Sequence, residues 1–328
     1  MSPLIRTDRL SVCYPSPKGR VVALDDVTFC VDAGTTVGII GESGSGKTTL
    51  VNAISGGLSF HGAEVSGTVS YAGTSMLDLS RSQLLEFRRA ALGYIGQDPH
   101  SALDPTMRVG QQLRHLLPKS ARRSPVEDDY TLHFGRVGLP DPARVAQHYP
   151  HQLSGGMAQR VVVALALVRA PKLIIADEPT ASLDSTLRTR ILDLITRLAA
   201  ESGATLVMVS HDLEAIRHYC DVTAVMYGGE LVEFADTAAL FDNPRHPYTA
   251  ALLAAAPGRE VPGTRLTEIP GTQHMRYADA RGCVFAARCA HQVPRCLDEK
   301  PAGQVLGGDN VACHRAAELS LGLTGSGS

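Results

Sequence analysis

A chain of 328 residues, 44% of them apolar, can bury a full core and is long enough for more than one structural unit. Its formal net charge of -2 argues against a nucleic-acid partner held by bulk electrostatics, and no run approaches the roughly 20 consecutive apolar residues that a membrane-crossing helix needs. The start, Met1-Ser2-Pro3-Leu4-Ile5-Arg6, lacks the basic and apolar regions of a secretory signal, so the expectation is a cytosolic polypeptide that reaches any membrane through a partner.

In chain order, Leu10 to Tyr14, Val21 to Ala23, Val27 to Val31 and Thr36 to Ile40 read as short strands, with turns at Pro15 to Gly19 and Asp32 to Gly34. Val65 to Tyr71 reads as another strand. From Leu77 to about Val168 the pattern is mostly helical, interrupted at Gln97 to Pro105 and by a polar hinge near Pro118 to Asp129. Strands are then expected at Lys172 to Ala176 and Thr205 to Ser210, helices at Thr186 to Ala200 and Leu213 to Tyr219, and a last strand pair around Thr223 to Phe234. Such alternation predicts an α/β fold, a mostly parallel core sheet covered by helices, with a helical insertion. Beyond Pro257 the chain turns rich in Gly, Pro, Arg and Cys and loses periodicity. The expected division is residues 1–256 with the insertion at about 77–168, a Cys-rich region at 257–320, and a tail or linker at 321–328. Cys13, Cys30 and Cys220 stand among apolar neighbours and are expected to be buried as small hydrophobes.

Chemistry enters at Gly41-Glu42-Ser43-Gly44-Ser45-Gly46-Lys47-Thr48-Thr49, set between the apolar run Val37 to Ile40 and the helix-like Leu50, Val51 and Ala53. This is the phosphate-loop pattern G-x-x-x-x-G-K-[ST] in the strand, loop, helix context that it requires. Glycines let the backbone curl until successive N–H groups face phosphate oxygens, and the helix N-terminus adds a favourable dipole. Lys47 is expected on the β- and γ-phosphates, the Thr48 hydroxyl on Mg²⁺ and Thr49 near the α-phosphate. Downstream, Leu173-Ile174-Ile175-Ala176-Asp177-Glu178 is an apolar strand ending in two carboxylates. Asp177 at its tip suits a Mg²⁺ ligand acting through water. Glu178, one residue later, is placed to orient an attacking water as general base.

Leu153-Ser154-Gly155-Gly156-Met157-Ala158-Gln159-Arg160 resembles the signature motif of ATP-binding cassette (ABC) proteins and precedes the Asp-Glu pair, as in that family. Ser154 would cap a helix whose free N–H groups, with Gly155 and Gly156 allowing close approach, form an anion site. The resemblance implies that this site meets the γ-phosphate of the nucleotide on the opposite subunit. It also implies an ABC cassette fold, with an N-terminal antiparallel β-subdomain beside the core sheet, and ATP and Mg²⁺ as ligands. Gln97 resembles the Q-loop glutamine that contacts Mg²⁺ and the attacking water. Ser182-Leu183-Asp184 is similar to the D-loop that crosses the dimer interface, His211 to the switch histidine, and Tyr14 to the aromatic residue on which adenine stacks. Each composite site would then join Lys47, Thr48, Gln97, Asp177, Glu178 and His211 of one chain to Ser154, Gly155 and Gly156 of its neighbour.

Phe241-Asp242-Asn243-Pro244-Arg245-His246-Pro247-Tyr248-Thr249, Ile269-Pro270-Gly271 and the later cysteines are similar to segments of oligopeptide and dipeptide importer ATPases. The likeness spans about residues 4 to 315. It implies ATP-driven uptake of peptides or a related small solute, with nickel, metal-chelate or opine cargo as the alternative and a soluble ATPase acting on ribosomes or DNA a more distant one. It further implies a second, different ATPase subunit, two permease subunits, a solute-binding protein, and a peripheral place on the cytoplasmic face of the inner membrane. Gly96 stands before Gln97 where an aromatic is common, and Thr48 replaces a frequent serine; neither change removes a needed group. Cys283, Cys289, Cys296 and Cys313 are spaced C-x5-C-x6-C-x16-C. Four clustered thiols in a cytosolic chain favour metal over disulfide, but the spacing matches neither common zinc pairs nor ferredoxin runs. The importer resemblance implies a 4Fe-4S cluster on these four residues; zinc, or no metal, stays open.

Overall fold

Alternation of buried and exposed residues builds the first strands of the computed structural model, which describes residues 3–17, 19–58, 62–118, 126–181, 183–256, 269–272 and 281–321. The chain divides into two units, residues 1–79 with 209–328, and residues 80–208. In the first, β1 (Ile5–Ser16), β2 (Gly19–Val31), β4 (Glu64–Tyr71) and β5 (Thr74–Ser75) form an antiparallel sheet in the order β2-β1-β4-β5. The core strand β3 (Thr36–Ile40) and helix α1 (Lys47–Ile54) lie between them in sequence.

Residues 19–31 form one strand, not the two short ones expected. Leu10 pairs with Val27 and Val12 with Leu24, so Asp25 and Asp26 bulge opposite Ser11, whose hydroxyl accepts from the Asp26 amide at 3.0 Å. The bulge keeps two acidic residues inside a strand that local pattern alone would break there. Past it, Val27, Phe29 and Val31 face inward and Thr28 and Cys30 outward. Cys30 is therefore exposed and Cys13 half-buried, against expectation, because strand period overrides apolar neighbours; Cys220 alone of the three is buried.

The unit of residues 80–208 runs through α2 (Arg81–Ala90), β6 (Leu92–Ile95), α3 (Val109–Leu116), α4 (Val126–Arg136), α5 (Pro142–Ala146), α6 (Gly155–Leu167), β7 (Leu173–Asp177), α7 (Ser185–Ser202) and β8 (Thr205–Val209). Strand β6 lies where the pattern reads as helical. Four residues are too few to show a period, and pairing makes them a strand: Leu92 to Ile95 run parallel to Leu173 to Ala176. Val161, Val163, Ile191 and Ile195, on α6 and α7, are fully buried, as are Leu113 and Phe134 of the inserted helices. Ser80 closes a capping box with Gln83 at the start of α2. The expected hinge falls partly on residues 119–125, outside the described residues.

The remaining elements return to the first unit: α8 (Leu213–Tyr219), β9 (Val222–Tyr227), β10 (Glu230–Asp236), α9 (Thr237–Asp242), α10 (Pro247–Ala254), α11 (Arg295–Asp298), β11 (Gln304–Leu306) and β12 (Asp309–Val311). Strand β3 pairs parallel with β9, β9 antiparallel with β10, and β10 with β12. The Cys-rich end thus contributes a hairpin, β11 and β12, to the edge of this sheet. Its strands of three residues each carry too little pattern to be read from sequence.

His246 caps α10 from a fully buried position. Its Nδ1 accepts from the Tyr248 amide at 3.0 Å, and the Glu233 carboxylate accepts from the amides of Arg245 and His246 at 2.8 and 2.9 Å. Burial pushes the imidazole down to about 3. Above the unfolded value of about 6.5 both states hold it neutral; below that, only the unfolded chain takes the proton, and stability falls by about 1.4 kcal/mol per pH unit. Between pH 6.5 and 5 the wild type is thus expected to lose about 2 kcal/mol that a His246→Asn variant keeps. Urea unfolding of both proteins at the two pH values reads this directly, and a wild-type-to-variant difference independent of pH would contradict it.

Candidate nucleotide site

Strand β3 runs into the loop at Gly41, whose φ of 146° only glycine tolerates; a Cβ there would stand 2.2 Å from the Met226 carbonyl oxygen. Gly46, at φ 105°, has the same constraint, with the Ala23 carbonyl at 2.6 Å. Two backbone approaches therefore set the curl of the loop. Lys47 is buried and its Nζ donates to the carbonyls of Gly41 and Glu42, both at 2.8 Å, which holds the cation against the loop it would share with phosphate.

Helix α1 begins at Gly46 with no side-chain cap and no acidic residue in its first turn. Its leading amides and dipole thus face the loop without a competing side-chain acceptor, an environment that fits phosphate. Ser43, Gly44 and Thr48 are exposed, Thr49 half-buried, and Ser45 buried with no hydrogen-bond partner for its hydroxyl. Tyr14 lies half-buried on β1, opposite Val21. The Ser210 amide donates to the Ile39 carbonyl at 3.4 Å, which brings exposed His211 to the end of β3, next to the strand that feeds the loop. Asp212 then caps α8 by accepting from the Ala215 amide.

In the other unit, Asp177 ends β7, and exposed Gln97 follows β6 by two residues. The parallel pairing of Ile95 with Ala176 sets Gln97, Asp177 and Glu178 at neighbouring strand ends. Glu178 turns the chain with a left-handed φ of 49°, unusual for a side chain of its size. The Tyr94 hydroxyl donates to Asp177 Oδ2 at 3.0 Å, and burial with this carboxylate pushes the phenol up.

Ser154 caps α6 by accepting from the Met157 amide at 3.4 Å. Ser154 and Gly155 are exposed, and a Cβ on Gly155 or Gly156 would meet only ordinary contacts, 3.8 and 3.4 Å from leucine methyls. Nothing described in this chain requires glycine at either position. Asp184 caps α7 through the Leu187 amide at 2.9 Å; Ser182 lies outside the described residues. Sequence reading missed Tyr94, Glu42, Tyr248 and Arg288. The phosphate-loop pattern leaves Glu42 unspecified, and the other three reach the site through tertiary contacts that no local signal announces.

Cys283, Cys289, Cys296 and Cys313 line one enclosed cavity of about 10 Å³. Burial pushes the Cys283 thiol up to about 12 and raises those of Cys289 and Cys313. Four soft sulfur donors suit iron or zinc as a set. Their present spacing does not: among the described residues no group of three or more His, Cys, Asp or Glu is arranged to hold a metal ion.

A curled glycine loop before an uncapped helix, with two carboxylates leaving the tip of a buried strand, defines a P-loop nucleotide-binding protein. The family profile described as ABC transporter matches residues 24–181, and that described as oligopeptide/dipeptide transporter, C-terminal region, matches residues 232–296. The chain is 35% identical over 320 residues to the oligopeptide transport ATP-binding protein OppD of Escherichia coli (strain K12), covering 97% of this chain and 95% of that one. It is 37% identical over 318 residues to the dipeptide transport ATP-binding protein DppD of the same organism, covering 95% and 96%. Among solved structures, the dimeric post-hydrolysis ATP-binding cassette MJ0796 bound to ADP and Pi is 28% identical with a TM-score of 0.61, over 71% of this chain and 98% of that one. The chain therefore belongs to the ABC transporter family of ATP-hydrolysing cassettes, in the branch of the oligopeptide and dipeptide transport ATP-binding proteins.

Proposed function

We propose that this chain is the ATPase of a peptide importer, bound at the cytoplasmic face of the membrane through permease subunits, with residues 1–256 as the nucleotide-binding domain and 257–320 as a Cys-rich accessory region. The observation that carries the nucleotide chemistry is the uncapped N-terminus of α1 behind the Gly41–Gly46 curl. Lys47 and the loop amides bind the phosphates, Thr48, Gln97 and Asp177 hold Mg²⁺, and Tyr14 stacks on adenine. Bound Mg²⁺ would draw charge from the phosphates. Glu178 takes the proton of the attacking water, and His211 orients the γ-phosphate. Ser154, Gly155 and Gly156 serve the nucleotide of the partner chain, and the exposed α6 terminus supports that assignment. The partner ATPase is a different chain.

No helix among the described residues is long and apolar enough to cross a membrane. An open cavity of about 410 Å³ supports docking on a permease: Tyr94, Met107, Gln112, Leu116 and Leu165 line it, and Tyr94 stands three residues before Gln97. A permease helix seated there would bear on the glutamine that contacts the nucleotide. Peptide cargo is favoured by the match of residues 232–296. Capture of the chain from gently solubilised native membranes, followed by mass spectrometry, is expected to recover two permeases, a second ATPase and a solute-binding protein. Recovery of ribosomes or DNA-repair proteins instead would overturn the transport reading.

The four cysteines are the candidate ligands of a metal centre, 4Fe-4S by resemblance to the importer ATPases and zinc otherwise; their shared cavity supports this and its small volume weighs against it. Anaerobically purified protein is expected to carry about four iron atoms per chain with broad absorbance near 400 nm. Cys296→Ser is expected to abolish both signals. Stoichiometric zinc, or neither metal, would remove the iron-sulfur assignment.

A further inference from the structure

The turn Ala286–Arg288 lies between two of the four cysteines, Cys283 and Cys289, yet its arginine reaches the phosphate loop. Arg288 Nη1 donates to Glu42 Oε2 at 2.7 Å and Nη2 to Glu42 Oε1 at 3.1 Å, a two-pronged pair. The same guanidinium donates to the Tyr227 hydroxyl at 3.1 Å and to the carbonyls of Pro270 and Ile269 at 2.6 and 3.3 Å. Its side chain is 8% exposed and that of Glu42 26%. The Glu42 amide, for its part, donates to the Tyr248 hydroxyl at 2.9 Å, and Phe285 packs edge-on against both Tyr227 and Tyr248. Glu42 is the residue after Gly41 and gives one of the two carbonyls that hold Lys47. Side chain, amide and carbonyl of this one residue are thus all held.

A carboxylate in the second position of a phosphate loop is electrostatically misplaced, since the incoming nucleotide carries several negative charges. Left alone, Glu42 would repel the ligand and draw Lys47 toward itself. We propose that Arg288 is a positioning residue of the nucleotide site: it neutralises Glu42 and turns its carboxylate away from the phosphates, so that the Cys-rich region sets nucleotide affinity. The proposal rests on the nucleotide-hydrolysing reading above and adds to it a residue 246 positions away from the loop it acts on. In this arrangement Arg288 acts through Glu42. Its influence should therefore appear in binding and spare the chemical step.

The test is a double-mutant cycle on the full chain, read by titration with a fluorescent ATP analogue and Mg²⁺ and by steady-state hydrolysis in the assembled transporter. Arg288→Ala is expected to weaken binding roughly tenfold and raise KM alike, with kcat within about twofold of wild type. Adding Glu42→Gln removes the uncompensated charge and is expected to return the affinity to within about twofold of wild type. A mere structural staple predicts the opposite, because the double variant would then bind as poorly as Arg288→Ala. That result, or wild-type affinity in Arg288→Ala, overturns the proposal. If Arg288→Ala does not fold, Arg288→Lys takes its place, with an expected loss of about threefold that Glu42→Gln restores; absence of the loss or of the restoration again counts against it. Failure of the wild-type chain to bind the analogue would instead strike the nucleotide-site reading itself.

Discussion

Glu178→Gln is expected to bind ATP within about twofold of the wild-type affinity and to lose roughly 10²- to 10⁴-fold in turnover. The substitution keeps size and reach and removes the negative charge, and with it the capacity to accept a proton. Position makes the effect large. Glu178 leaves the tip of β7 directly after Asp177, at a left-handed φ of 49° that turns it out of the strand. In phosphoryl transfer the protein mainly positions and polarises, so one lost proton acceptor has no covalent substitute. Hydrolysis should be measured as phosphate release in the assembled transporter, beside size-exclusion chromatography with ATP. Mixed with the second ATPase, the variant should accumulate as a nucleotide-bound heterodimer that the wild type forms only transiently. Wild-type phosphate release from Glu178→Gln would assign the base elsewhere.

Lys47→Ala is expected to abolish measurable nucleotide binding, a loss of at least about a hundredfold. The ammonium lies buried against the carbonyls of Gly41 and Glu42, both at 2.8 Å, so the site holds a positive charge at the mouth of α1 before any ligand arrives. Removing it takes away the loop's own cation and leaves the Gly41 and Glu42 carbonyls each short of one donor. The second deficit costs about 1–3 kcal/mol of stability. Thermal unfolding separates the two effects. Without nucleotide the variant should melt below the wild type; with ATP and Mg²⁺ only the wild type should gain stability, as ligand linkage requires. A variant whose melting temperature rises with ATP as the wild type's does would show that Lys47 does not hold the phosphates.

Local sequence carries the phosphate loop, because glycine and lysine at fixed spacing are themselves the chemistry: Gly41 and Gly46 are needed where no Cβ fits, and Lys47 lies within reach of its own loop. It carries Asp177 and Glu178 for a similar reason, an apolar strand that can only be buried and must end in something polar. Helix caps at Ser154, Asp184 and Asp212 are also local, each joining a side chain to an amide three residues on. Strand β6 was not legible, since its four residues become a strand only through Leu173 to Ala176, about eighty positions later. Asp25 and Asp26 mislead in the other direction: two acidic residues read as a break until Ser11 is found opposite them.

Family membership and nucleotide chemistry could thus be read along the chain, because each motif that carries them is complete within about ten positions. The grip of Arg288 on Glu42 could not. It joins positions 246 apart, and neither residue carries a local pattern that names the other. The same holds for the four cysteines: spacing declares that they cluster, while only packing places them around a cavity of about 10 Å³ behind the turn that reaches the phosphate loop. Short-range order follows from backbone geometry and side-chain type. Long-range charge pairing follows from which surfaces are buried together, and that is a property of the folded chain as a whole.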